Sequence, residues 1–316
     1  MVAQGVRVAR RLGRFAATVL FMVVGSLLAS GLQAADGPFL FSYFKGNGED
    51  GLHFAWSEDG LKWESLRGDK SFLTPQVGGM LMRDPSIVQG PDGVFHMVWS
   101  SGWWDKGFGY ASSKDLLKWS EQRSIPVNEN VAGAKNTWAP DLFFNESTKQ
   151  FVMVFATTVP GRFPETDEGG DHNHRLYSIE TRDFQKFSEP KVLMNPGYNS
   201  IDGTLFAAAG RLGMIFKDER PGRKRLHAAF ADRLDAPWTI GEQPIIARDW
   251  VEGPTVLRVG RTYRVYFDCY TKGHYGAAES ADGVTWRDIT DQVRFPAGAR
   301  HGTAFPVSRA MLESLR

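Results

Sequence analysis

Four short segments of this chain open with an acidic residue and run straight into strand-forming apolar residues. They are Asp84-Pro85-Ser86-Ile87-Val88, Asp141-Leu142-Phe143-Phe144, Asp202-Gly203-Thr204-Leu205-Phe206 and Glu252-Gly253-Pro254-Thr255-Val256-Leu257. After a short polar turn each is followed by a more apolar run: Phe95 to Trp99, Phe151 to Phe155, Leu212 to Phe216 and Tyr263 to Phe267. Taken singly, an Asp before Pro or a Glu-Gly-Pro shapes a turn. Four at one phase of four similar units point instead to carboxylates that meet at one end of a common axis. Carboxylates held close together repel, so at least one has its pKa raised and keeps a proton near neutrality. A protonated carboxyl beside an ionised one is the acid and base pair that cleavage of a glycosidic bond uses.

The elements that must position these residues also repeat. A small-residue strand, a Ser or Thr, an acidic turn and an aromatic recur from Ala55 to Trp63, Ala111 to Trp119, Ser178 to Phe187, Ala231 to Trp238 and Ser280 to Trp286. The aromatics at 63, 119, 187, 238 and 286 are separated by 56, 68, 51 and 48 residues. Five units at a period of about 50 residues predict an all-β, five-bladed β-propeller with four strands per blade. One unit reads as an inner strand from Asp84, a second from Phe95 to Trp99 and a third from Phe108 to Ser112. Its acidic turn then delivers Trp119 onto an outer strand reaching about Val127. Unbroken Val, Phe, Met and Trp runs suit strands covered on both faces. Acidic openers serve four units, so the unit built on Phe39 to Phe44 and Gly51 to Ala55 lacks an inner strand. Thr303 to Val307, preceded by His301-Gly302, supplies it, and pairing of the two termini in one blade closes the ring and removes free sheet edges. Ser308 to Leu315 predicts a short terminal helix.

Composition bounds the partners. The 316 residues carry 37 basic and 36 acidic side chains, a net charge of +1, which does not suit a nucleic-acid partner. Aromatic content of 13% with 10 Trp suits all-β packing and sugar stacking alike. The lone Cys269 lies beside an apolar run and reads as a core thiol. Arg7, Arg10, Arg11 and Arg14, then the apolar run Phe15 to Leu32, then Gln33-Ala34-Ala35 read as a secretory signal over residues 1–35. An uncleaved membrane anchor is the alternative. Residues 36–316 then form the propeller, in the periplasm or outside the cell, with no membrane contact after cleavage.

Because antiparallel strands reverse at each turn, the acidic openers share one face with the loops 100–107, 157–175, 217–225 and 270–275. Those loops collect Trp103, Trp104, Asp105, Arg162, His172, His174, Lys217, Arg220 and His274, while the opposite face holds short Gly, Asn and Asp turns. Trp103, Trp104, Trp138 and Trp250 suit either sugar stacking or packing. The loop Pro160 to Arg175, with Glu165, Asp167, Glu168, Asp171, His172 and His174, reads as a solvated loop, an active-site lip or a metal site; its spacing fits no standard ligand pattern.

Arg83-Asp84-Pro85-Ser86-Ile87, Trp138-Ala139-Pro140-Asp141, Ile201-Asp202-Gly203-Thr204-Leu205-Phe206, Glu252-Gly253-Pro254 and His301-Gly302 together resemble the blade-start motifs of glycoside hydrolase family 43. That family holds five-bladed arabinofuranosidases, arabinanases and xylosidases, and the resemblance runs in order from about residue 38 to 308. It implies Asp84 as the general base that activates water, Glu252 as the general acid and Asp202 as the carboxylate that tunes and orients Glu252. It also implies that Asp141 lines the pocket; Trp138, Trp103, Trp104 and Arg220 are the other substrate-binding candidates, from residue type and place rather than from the resemblance. His301 falls on the axis, where such propellers hold Ca²⁺ or Na⁺ through water; a satisfied structural histidine is the other reading, and no cofactor is required. Gly203 stands where the family often has Pro, which loosens the expected orientation of Asp202.

The function these readings predict is an exported, inverting, exo-acting glycosidase on arabinose-, xylose- or galactose-containing glycans, with carbohydrate as its partner. A retaining invertase-like glycosidase using Asp84 as nucleophile is a second enzyme reading. A non-catalytic carbohydrate-binding propeller, or a protein-interaction platform, is the non-enzyme one.

Overall fold

The computed structural model describes residues 1–2, 37–167, 172–208 and 210–316. The expected signal or anchor at 1–35 lies outside the described residues, apart from Met1 and Val2. From Phe39 onward the chain forms five four-stranded antiparallel sheets. Blade 2 holds Arg83–Gln89, Phe95–Ser100, Phe108–Ser113 and Arg123–Ile125, from axis to rim. Blade 3 holds Trp138–Asn145, Gln150–Thr158, His174–Thr181 and Lys191–Met194, and blade 4 holds Ser200–Ala208, Arg211–Asp218, Arg225–Ala231 and Thr239–Ile240. Blade 5 holds Glu252–Val259, Thr262–Cys269, His274–Ser280 and Arg287–Asp288. In blade 1 the C-terminal strand Ala304–Pro306 takes the inner place and pairs with Phe39–Tyr43, followed by His53–Ser57 and Glu64–Ser65. The ring therefore closes through the two ends of the chain, as the count of inner strands predicts.

The core is five separate interfaces, one between each pair of neighbouring blades. Leu40 and Phe54 of blade 1 meet Ile87 and Met97 of blade 2; Val98 and Phe108 of blade 2 meet Met153 and Phe155 of blade 3. The recurring aromatic is the wedge in each. Trp63 is buried against Phe41 and Tyr266, with ring centroids 5.8 and 5.5 Å away. Trp119, Phe187, Trp238 and Trp286 pack into the interface with the blade before their own.

The Ser/Thr-to-Asp turn that precedes each aromatic explains itself chemically. In blade 2, Ser113 Oγ accepts from Leu116 N at 2.8 Å, while Asp115 Oδ1 accepts from Leu117 N at 2.9 Å and Lys118 N at 2.7 Å. Blades 1, 3 and 5 repeat this through Ser57 and Asp59, Thr181 and Asp183, and Ser280 and Asp282. Side-chain oxygens thus satisfy turn N–H groups that no strand reaches. Blade 4 has Ala231 where the others have Ser or Thr, and its turn relies on a backbone bond from Ala236 N to Arg233 O. That substitution is why the fourth copy of the phrase is loose in sequence.

Two expectations about local structure are refined. Trp119 does not sit on the outer strand: it bridges Ser113, and the strand follows at Arg123–Ile125. The terminal helix spans Arg309–Leu315, with Ser308 Oγ capping Met311 N at 3.1 Å. Cys269 is buried and free.

Candidate active site

Every inner strand carries one extra residue near its start. In blade 2 the pairing steps from Arg83–Ser100 to Ser86–Val98, three residues against two, and blades 3, 4 and 5 make the same step at Trp138 to Asp141, Ile201 to Thr204 and Glu252 to Thr255. Blade 1 matches it, with Arg300 bridging Phe44 and Ala304 pairing Phe41. This is a β-bulge, which bends the strand and re-aims its side chains. Four of the bulges place a residue in left-handed backbone: Asp84 (φ 54°), Ala139 (φ 45°), Asp202 (φ 55°) and Gly253 (φ 57°). Asp tolerates that region, and Gly253 is required there, since a Cβ would lie 2.4 Å from the His301 ring.

The bulges correct the expectation that all four acids share one phase. Asp84 and Asp202 occupy the bulge itself, Glu252 comes one residue earlier and Asp141 two residues later. The first bulge positions are Arg83, Trp138, Ile201, Glu252 and Arg300; with Asp84, Ala139, Asp202 and His301 they line a central cavity of about 540 Å³. Asp141 is not among the lining residues. It stands a layer further along the axis, where its Oδ1 accepts from Ser86 Oγ at 3.1 Å, and burial pushes its carboxyl up to about 6.

Asp84, Asp202 and Glu252 meet in this cavity, each held differently. Asp84 accepts from Ser100 Oγ at 2.7 Å and faces His301 Nδ1 at 3.2 Å. Burial acts to raise its pKa, but the hydrogen bond and charge of His301 win and draw it down to about 2. Burial in turn opposes the imidazolium, yet Asp84, Asp202 and Glu252 together lift His301 to about 9. Among the described residues Asp202 receives only the Gly253 N–H, at 2.9 Å, and it is pushed up to about 6, first by burial and then by Glu252 and Asp84, against His301 and Lys217. Glu252 is clamped on both oxygens, by Lys217 Nζ at 2.8 Å and Arg300 Nη2 at 3.1 Å. Lys217 also reaches Glu219 at 2.7 Å; burial opposes its charge, but Glu252, Glu219 and Asp202 hold it firmly protonated. Arg300 is anchored from behind by the buried Asp268 at 2.5 Å.

The aromatic wall comes from blades 2 and 3. Trp103 and Trp138 line the cavity and stand edge to face, 5.9 Å apart, with Trp138 Nε1 donating to Trp103 O at 2.6 Å. Trp104 does not line it; it is 53% exposed beside Trp138 and His172. Arg220 is also elsewhere, turned onto Asp218 Oδ2 at 2.6 Å and over the Tyr198 ring at 3.9 Å. In the loop Pro160 to Arg175, His172 reaches the cavity and His174 is buried, stacked on Trp138 at 4.5 Å; residues 168–171 lie outside the described residues. Gly46, Asn47, Ser100, Gly102, Lys217, Glu219 and Tyr270 complete the lining. Arg300 escaped the sequence reading, although Arg300-His301-Gly302-Thr303 falls in register with Arg83-Asp84-Pro85-Ser86.

Among the described residues no group of three or more His, Cys, Asp or Glu side chains is arranged to hold a metal ion. His301 engages Asp84 through Nδ1 at 3.2 Å.

Comparison with known proteins follows the same lines. A family related to glycoside hydrolase family 43, described as a probable glycosyl hydrolase domain, matches residues 36–313. An alpha-L-arabinofuranosidase of Bifidobacterium longum subsp. longum is 28% identical over 123 residues, covering 35% of this chain and 11% of its own length. A probable arabinan endo-1,5-alpha-L-arabinosidase C of Aspergillus terreus is 22% identical over 166 residues, 51% of this chain and 42% of its own. The chain thus spans less than half the length of these curated relatives. The crystal structure of an alpha-L-arabinofuranosidase from Lactobacillus brevis superposes with a TM-score of 0.52 at 21% identity, covering 66% of this chain and 72% of that one, and shares its fold.

Proposed function

Since the chain belongs to the glycosyl hydrolase domains related to family 43, we propose that it hydrolyses glycosidic bonds in arabinose- or galactose-containing glycans at the Asp84, Asp202 and Glu252 site. The observation that carries this reading is the meeting of those three carboxylates in one cavity with His301, Lys217 and Arg300. Arabinose is suggested by the relatives named above; xylose-containing glycans belong to the same proposal. Residues 1–35 direct export, which puts the substrate outside the cytoplasm.

Asp84 is the general base. Its low pKa keeps it ionised, ready to take a proton from the water that attacks the anomeric carbon. Glu252 is the general acid that protonates the departing oxygen, and Asp202, joined to it through the Gly253 N–H, tunes it. An inverting course leaves room for that water, with base and acid about 6.5–9.5 Å apart; a single product anomer opposite to the substrate, read by NMR, is the expected result. Exo action on chain ends completes the proposal.

One observation favours a second assignment of the acid. Lys217 Nζ and Arg300 Nη2 occupy both oxygens of Glu252, whereas burial favours the protonated form of Asp202. In that reading Asp202 delivers the proton. The two separate on leaving groups, because loss of the acid spares substrates whose departing oxygen needs no proton. Nitrophenyl α-L-arabinofuranoside, β-D-galactoside and β-D-xyloside screen the activity. Glu252→Gln should lose about 10²–10⁴-fold on phenyl glycosides and little on dinitrophenyl ones. The same pattern in Asp202→Asn instead moves the role to Asp202, and full phenyl glycoside activity in both variants sinks both assignments.

A further inference from the structure

The cations of the cavity are not equivalent. Lys217 is paired with Glu252 and Glu219, Arg300 with Glu252 and Asp268, and His301 with Asp84. Arg83, the fourth, has no carboxylate within ion-pair distance among the described residues. Its guanidinium lies over the Phe44 ring at 4.8 Å and the Trp103 ring at 4.2 Å, and Nη1 donates to Asn47 Oδ1 at 3.1 Å. Asn47 Oδ1 also takes the Trp103 indole N–H at 3.1 Å, so the amide locks ring and guanidinium into one assembly. Two aromatic contacts constrain the fork and Asn47 takes Nη1, so Nε and Nη2 are the donors with no hydrogen-bond partner among the described residues. A rigid planar fork of this kind matches the two oxygens of a carboxylate better than a single hydroxyl.

The neighbouring charges permit an anion there. Asp84, next in sequence, is paired with His301 and hydrogen-bonded by Ser100 Oγ, Glu252 is paired with Lys217 and Arg300, Glu219 with Lys217 and Lys224, and Glu49, which also feels the Arg83 charge, is held by the Asn47 backbone and amide N–H groups. The Trp103 and Trp138 wall beside Arg83 supplies ring faces for the sugar that bears the anion.

We propose that Arg83 binds a carboxylate of the substrate, so that the glycan taken into this cavity carries a uronic acid. The inference rests on the hydrolase reading for the fate of the sugar, but the recognition is tested separately. Calorimetric titration of the wild-type protein, in which Glu252 still pairs with Lys217 and Arg300, uses hydrolysis-resistant S-linked oligosaccharides bearing glucuronic or galacturonic acid, each beside its methyl ester, which keeps the shape and removes the charge. The acids should bind about ten- to a hundredfold tighter than their esters, and Arg83→Gln should shrink that ratio below about threefold. Arg83→Lys, which keeps the charge without the fork, should give an intermediate ratio and serves where the Gln variant fails to fold. Acids that bind no better than esters, including no binding of either, overturn the inference; continued turnover of neutral aryl glycosides by the wild type would then leave the hydrolase reading standing. Selective binding of acids with no turnover of any glycoside supports Arg83 and removes the hydrolase reading instead.

Discussion

Replacing His301 with Gln keeps a hydrogen-bond donor beside Asp84 and deletes its charge. The two ends of this buried pair report its strength. Asp84 falls from an ordinary 3.8 to about 2, and His301 rises from 6.5 to about 9, each against the effect of burial. At 1.36 kcal/mol per pKa unit these correspond to roughly 2.5 and 3.5 kcal/mol. His301 also feels Asp202 and Glu252, so the smaller figure lies nearer the pair alone. The sign of the pH dependence follows. The Asp84 contribution is present above 3.8 and lost as pH falls through about 2; the His301 contribution is present below 6.5 and lost as pH rises toward about 9. The stability difference between wild type and His301→Gln, from urea unfolding, should therefore be a plateau of about 3 kcal/mol between roughly pH 4 and 6.5, shrinking on both sides. In turnover, loss of the His301 charge leaves burial of Asp84 opposed by the Arg83 charge and the Ser100 hydrogen bond, so the acidic limb of kcat/KM should move upward from near 2. A difference that is flat across pH 3 to 9, or an unmoved acidic limb, would refute the reasoning.

Gly253→Ala forces a Cβ into the His301 ring from left-handed backbone, so its acidic limb should shift in the same direction as that of His301→Gln; an unchanged limb would mean the ring has room to spare. Asp202→Asn should abolish any basic limb near pH 6, the value to which Asp202 is raised; a limb that persists there belongs to another group. Trp63→Ala removes the wedge between blades 5 and 1 and should cost about 3–5 kcal/mol by urea unfolding, whereas a loss under 1 kcal/mol would show that the interface closes without it.

The fold was legible because a propeller writes itself into the chain five times. The Ser/Thr-to-Asp turn and its aromatic are local chemistry, and a missing inner strand at one terminus with a spare one at the other can be counted. The gathering of Asp84, Asp202 and Glu252 was legible for the same reason. Their offsets were not: a bulge is one residue of backbone bending, and nothing in Trp138-Ala139-Pro140-Asp141 announces that Ala139 takes the bulge and leaves Asp141 deeper. Arg220 and Trp104 were misplaced because loop residues carry no periodicity, and an ion pair two residues away decides where an arginine points. Arg300 was hidden by its position before a strand only three residues long, and it becomes visible once that strand is aligned with the other four.

The most direct test of the central claim is release of reducing ends from arabinan and arabinogalactan by the wild-type protein beside Asp84→Asn, a change that removes the base charge with little change of shape. The account predicts sugar release by the wild type and none above background by the variant, with both proteins folded. Equal release by the two, or none by the wild type on these or any other arabinose-, galactose- or xylose-containing glycan, would contradict it.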